Sequence, residues 1–274
     1  MTGLREAART CIEAREPGHK VHLSRDVLRD WREGRLDLEA TIDAAAHLAP
    51  GLPEGLELTS PTKVRRRGFG TPEGLSSFVH AIAHIEWNAI NLAWDAVWRF
   101  AAMPRAFHDD WTRVAAEEAS HFAALRGRLQ DLGSDYGRLP AHDGLWQTAE
   151  ATRHDVLDRM ALVPRVLEAR GLDVTPGLIA KLRVHGDEAT ATILDLVLRE
   201  ELGHVRIGST WFHHLCEQRG LAPAAAFEAA IRAHFRGHTR PVVDPGLRLQ
   251  RLEAGFRDDE LDALDRLASG DGGS

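Results

Sequence analysis

Two long stretches of this chain each carry a Glu-x-x-His motif at the centre of an apolar stripe: Glu118 with His121, and Glu201 with His204. Residues three apart in an α-helix share a face, so each pair can reach one cation. Around the first pair that face holds Val114, Ala115, Phe122 and Leu125; around the second, Leu194, Val197, Leu198, Val205 and Gly208. An apolar face with a carboxylate and an imidazole in its middle must be covered by another helix, and its charge must be met there. One such tetrapeptide arises by chance in many helices. Two on separate long helices point to a bundle with polar groups converging inside it.

A third carboxylate fits the same description. Glu86 has Val79, Ile82, Ala83, Ala89, Ile90 and Ala93 at helical spacing on its face, all apolar. Taken alone, it would be explained by an arginine or water partner. Beside the two motifs it reads as a ligand. The step from Glu86 to Glu118 is 32 positions, and a step of 33 back from Glu201 reaches Glu168. The chain then divides into two halves, each a helix with one Glu followed by a helix with Glu-x-x-His. Glu168 rests on this repeat, since its own face includes Pro164 and Arg165, and Glu150, His154 and Asp158 are alternatives on the same predicted helix. Glu117 and Glu200, each four residues before a motif histidine, read as solvent-facing or supporting groups. The expected set is Glu86, Glu118, His121, Glu168, Glu201 and His204. Four carboxylates and two imidazoles would neutralise two divalent cations, and mixed oxygen and nitrogen donors suit iron or manganese, as Fe/Fe, Fe/Mn or Mn/Mn.

Strand signals are nearly absent and helical periodicity runs throughout, so the chain reads as all-α. Long helices are predicted over about 71–102, 104–132, 143–170 and 187–218. Thr71-Pro72 starts the first, Gly133 and Gly171 end the second and third, Gly186-Asp187 starts the fourth, and Gly220 follows it. Short helices are expected at 176–184, 223–235 and 258–268. Residues 1–70 read as accessory helices, including 23–34 and 36–49, with a Pro/Gly-rich linker over 50–70. The organisation is thus 1–70 accessory segment, 71–219 four-helix bundle and 220–274 C-terminal helices and tail.

Composition excludes some functions. The 274 residues include 34 Lys+Arg against 41 Asp+Glu, a formal charge of −7, which does not suit a bulk nucleic-acid binder. Arg65, Arg66 and Arg67 form a small basic run that reads as a solvated turn. No apolar run is long enough to span a membrane and the first residues lack a secretory core, so a cytoplasmic protein is expected. Cys11 and Cys216 read as reduced thiols. Trp87, Trp94, Trp98, Trp111 and Trp211 read first as helix-packing residues, and only second as carriers of oxidising equivalents. Tyr136, the single tyrosine, lies past the end of a predicted helix, which argues against a radical role. His84 faces away from Glu86 and is left out of the ligand set.

The stretches HAIAHIEWNAINLAWDAVWRF, RVAAEEASHFAALRGRL, DRMALVPRVLEARGLDVTP and REELGHVRIGSTWF resemble the ferritin-like diiron-carboxylate superfamily, and within it a bacterial ferritin-like family of unknown function. The resemblance runs to about residue 260. It implies a ferritin-like four-helix bundle with additional N- and C-terminal helices, two iron ions and dioxygen as co-substrate. The expected activity is that of an oxidase or monooxygenase of a small or pocket-sized substrate, served by an external electron donor, in a monomer or small homo-oligomer. A tRNA-modifying hydroxylase and an iron storage or detoxification protein are the alternatives; a large closed shell in solution would favour storage.

Overall fold

Helix boundaries follow the capping chemistry at most ends. The computed structural model describes residues 3–38, 48–60, 68–235, 242 and 244–269. Most of the expected helix over 36–49 and the linker residues 61–67, the arginine run among them, lie outside the described residues. The described residues are helical, without a strand; two isolated parallel bridges, Gly3 with Asp37 and Leu58 with Ala141, are their only β-type pairings.

The chain divides into two compact units. Unit 1 comprises residues 1–146 and 182–193, and unit 2 comprises 147–181 and 194–274. The first four helices are α1 (Leu4–Glu13), α2 (Pro17–Arg32), α3 (Pro72–Arg99) and α4 (Arg105–Asp131). Thr71 caps α3 by accepting from Gly74 N at 3.1 Å, with Pro72 in the first turn. Gly133, at φ +73°, closes the C-terminal end of α4, a conformation that costs glycine no Cβ clash.

In unit 1, α3 packs along α4, α1 on α3, α2 on α4, and α1 on α2. The N-terminal helices expected as an accessory are therefore part of the packing around α3 and α4. Leu4, Ala8, Cys11 and Ile12 give α1 a buried stripe against this core, and Trp31 does the same on α2. Polar bonds fix the register. Trp94 Nε1 donates to Ser24 Oγ at 2.9 Å, Trp31 Nε1 to Asp109 at 2.7 Å, and Arg5 Nε to the Trp98 carbonyl at 2.7 Å. Lys20 is fully buried: its ammonium donates to the carbonyls of Cys11 and Ile12 and to Asn91 Oδ1 at 2.6–2.9 Å, over the face of Trp87.

The expected single helix over 143–170 is broken. α5 (Gly144–Ala151) ends, a turn follows, and α6 (Val156–Leu162) leads through a π-helical segment, Val163–Glu168, into α7 (Ala169–Val184). Two groups outside the reach of periodicity cause the break. Asp155 caps α6 by accepting from Leu157 N at 2.8 Å. The buried Arg159 donates to the Ala149 carbonyl at 2.6 Å and to Thr152 Oγ1 at 2.9 Å, satisfying the end of α5. Gly171 does not end the helix; it has no positive φ, and α7 runs past it and past Pro176.

The remaining helices are α8 (Glu188–Arg219), α9 (Pro223–His234), α10 (Pro245–Glu253) and α11 (Asp258–Ser269). Asp187 and Gly220 bound α8 as expected, and α10 was not anticipated. The core of unit 2 is built around Arg165. Its guanidinium lies 4.3–4.4 Å from the ring centroids of Phe212, Phe227 and Phe256 and donates to Glu260 at 2.7 Å. α8 approaches the π-helical segment so closely at Gly208 that an added methyl would overlap the ring of Pro164.

Candidate metal centre

Each unit holds its own share of the expected ligands. In unit 1, α3 supplies Glu86 and α4 supplies Glu118 and His121, all buried at 4%, 0% and 1% exposure. His121 Nδ1 lies 3.2 Å from Glu118 Oε2 and 3.4 Å from Glu86 Oε2. Donors held at about 2.1 Å from a common ion are themselves about 3.0–3.4 Å apart. The three side chains thus have the spacing of ligands around one cation. Burial alone would push the imidazole down, but hydrogen bonds to Glu118 and Glu86 and their negative charges outweigh it and raise it to about 11. A site that holds a proton so firmly is one that attracts cations.

Aromatic residues next to two of these ligands in sequence form a cluster. Trp87, one residue after Glu86, and Phe122, one after His121, have centroids 5.2 Å apart, and Tyr136 packs on both at 5.3 and 5.0 Å. Tyr136 is buried, and its hydroxyl donates to His84 Nδ1 at 2.7 Å. His84 Nε2 lies 2.9 Å from the His142 carbonyl, which sets the tautomer with the proton on Nε2. His80 Nε2 accepts from Gly137 N at 3.1 Å. Burial lowers both histidines to about 4, so both are neutral anchors holding the segment after α4 against α3. The sequence hinted at this only through the i, i+4 spacing of His80 and His84; their partners lie more than fifty residues away.

In unit 2, α8 carries Glu201 and His204 with Nδ1 to Oε1 at 3.7 Å; His204 is buried and Glu201 nearly so. Glu168 is the last residue of the π-helical segment and is half-buried. Pro164 lacks the N–H that an α-helical ladder needs, and the widened turn accommodates it. Such turns recur at functional sites because they re-aim a side chain without ending the helix. His154 and Asp158, the alternatives on the expected helix, are drawn instead to His234 of α9, and Glu150 sits on α5. Glu117 lies 3.8 Å from Arg113 on the outer side of α4. Cys11 and Cys216 are free and buried. Among the described residues, no helix is long and apolar enough to cross a membrane.

The family profile described as "Protein of unknown function (DUF455)" matches residues 13–262, nearly the whole chain, and the chain belongs to that family. A Haemophilus influenzae protein, named only as an uncharacterized protein, is 46% identical over 217 residues, which cover 77% of this chain and 74% of the relative. No solved structure matches.

Proposed function

We propose that this family member is a ferritin-like dinuclear metal protein, in which Glu86, Glu118, His121, Glu168, Glu201 and His204 hold two iron ions for the dioxygen-dependent oxidation of a small substrate. The observation that carries the reading is the convergence of Glu86 and Glu118 on His121 Nδ1 inside unit 1. Glu201 and His204 enter as the second Glu-x-x-His motif, supported by their pairing on α8, and Glu168 enters through the repeat spacing, supported by the widened turn that ends on it.

Bound iron would supply the electrons and the open coordination positions that dioxygen reduction requires, and manganese suits the same donors. The chain's residues do the rest. Glu86 and Glu118 provide charge in a buried setting, where it acts most strongly on a cation. His121 would offer Nδ1 to an ion and release the proton it otherwise shares with Glu118 and Glu86. Trp87, Phe122 and Tyr136 pack on one another and help hold α3 against α4, and so the spacing of Glu86 and His121. An external electron donor would return the centre to its reduced state between turnovers.

Metal analysis of the full chain, produced in medium rich in iron and manganese, tests the reading. Two metal ions per chain are expected, with oxygen uptake when the ferrous form meets air, and both are lost in Glu118→Ala while the helical signal stays. A chain carrying neither metal would falsify the proposal.

A further inference from the structure

A second group of metal-ligating side chains lies in unit 2 and uses none of the six residues above. His154 sits in the turn before α6, Asp158 on the first turns of α6, and His234 at the end of α9. His234 Nε2 lies 3.0 Å from Asp158 Oδ2, and His154 Nε2 lies 3.5 Å from the same oxygen. One ligand atom from each of the three falls within 4.8 Å of the others. Four donors placed tetrahedrally around zinc at about 2.0–2.1 Å stand about 3.3 Å apart, so these two distances straddle a tetrahedral edge.

The local charge favours a cation. Arg219, the nearby guanidinium, makes its hydrogen bonds to Asp155, at 2.7 and 2.8 Å, and acts on Asp158 only through its charge, while the Asp158 carboxylate meets the two imidazoles directly. The side chains are 57%, 20% and 21% exposed for His154, Asp158 and His234, so solvent reaches the group from one side. Two nitrogens and one oxygen on a solvent-accessible side match the donor set of an open zinc site. We propose that His154, Asp158 and His234 bind one zinc ion, with water as fourth ligand, pinning the end of α9 to the start of α6.

The test is a calorimetric zinc titration of the metal-stripped full chain in four forms: wild type, Glu118→Ala, His154→Ala and His234→Ala. His22→Ala, on an exposed residue of α2, controls for ordinary surface imidazole binding. The expected result is one zinc event common to wild type, Glu118→Ala and His22→Ala, additional to uptake at the Glu118 centre in the forms that keep it, and weakened about tenfold or more in His154→Ala and His234→Ala. Zinc should also raise the melting temperature of Glu118→Ala and leave that of the double variant Glu118→Ala, His234→Ala unchanged. His154 is exposed, so its removal leaves the fold intact as a reference. Equal zinc affinity in Glu118→Ala and in the double variant overturns the proposal, and so does the absence of any zinc event in Glu118→Ala.

Discussion

His121 sits between two buried carboxylates, and this arrangement has a signature before any metal is added. An unfolded histidine titrates near ~6.5, whereas His121 in the fold is raised to about 11 by its partners. The stability this group contributes is therefore fully present below the unfolded value and is lost as pH rises through the folded one. In metal-stripped protein, the gap in urea midpoint between wild type and His121→Gln should shrink as pH climbs above about 6.5. A gap that widens over that range would contradict the assignment. Metal uptake should release protons and weaken toward acid, since the ion and the proton compete for Nδ1. Lys20 poses a different question at the same scale. Burial pushes its ammonium down to about 7, yet each of its protons has an acceptor and Trp87 lies beneath it. Lys20→Met strands those acceptors, and a loss of about 2 kcal/mol is expected by chemical denaturation.

Elements were legible where local chemistry decides them and illegible where partners do. Thr71-Pro72, Gly133 and Gly220 marked their helix ends because caps act within a few residues. The two Glu-x-x-His pairs were readable for the same reason: a spacing of three is a fact of one helix. The region between α5 and α7 was not, since Arg159 breaks it by bonding back to α5 and Pro164 widens it. Gly208 is the element-scale test of that widened turn. A glycine in a helix interior normally gains about 1 kcal/mol on becoming alanine, but here the added methyl meets the rigid ring of Pro164. Gly208→Ala is expected to destabilise by about 1–3 kcal/mol. Gly127→Ala on α4, where nothing lies in the way, should stabilise by about 0.5–1 kcal/mol. Thermal melts of the two variants moving in the same direction would refute the close approach.

At the scale of the whole molecule, the largest departure from expectation is the role of the first two helices. Their amphipathic stripes were visible, but a stripe does not say what it covers. Here α1 and α2 cover α3 and α4 and are bonded to them through Arg5, Ser24, Lys20 and Trp31. Removal of residues 1–35 should therefore cost unit 1 its cooperative unfolding transition, as followed by circular dichroism, instead of trimming a dispensable arm. A truncated chain that melts like the intact one would return those helices to accessory status.

Unit 1 is also discontinuous along the chain, since it takes in residues 182–193 after an excursion of 35 residues into unit 2. Arg128, on α4, finds Asp187 at 2.9 Å and Thr190 at 3.0 Å only in that late segment. A ribosome making this protein releases α1 to α4 well before the residues that complete their unit. The order of synthesis and the order of assembly must therefore differ. The nascent chain has to carry a partly closed first unit while most of the second is still being translated, and slowing translation before codon 193 should lengthen the life of that intermediate.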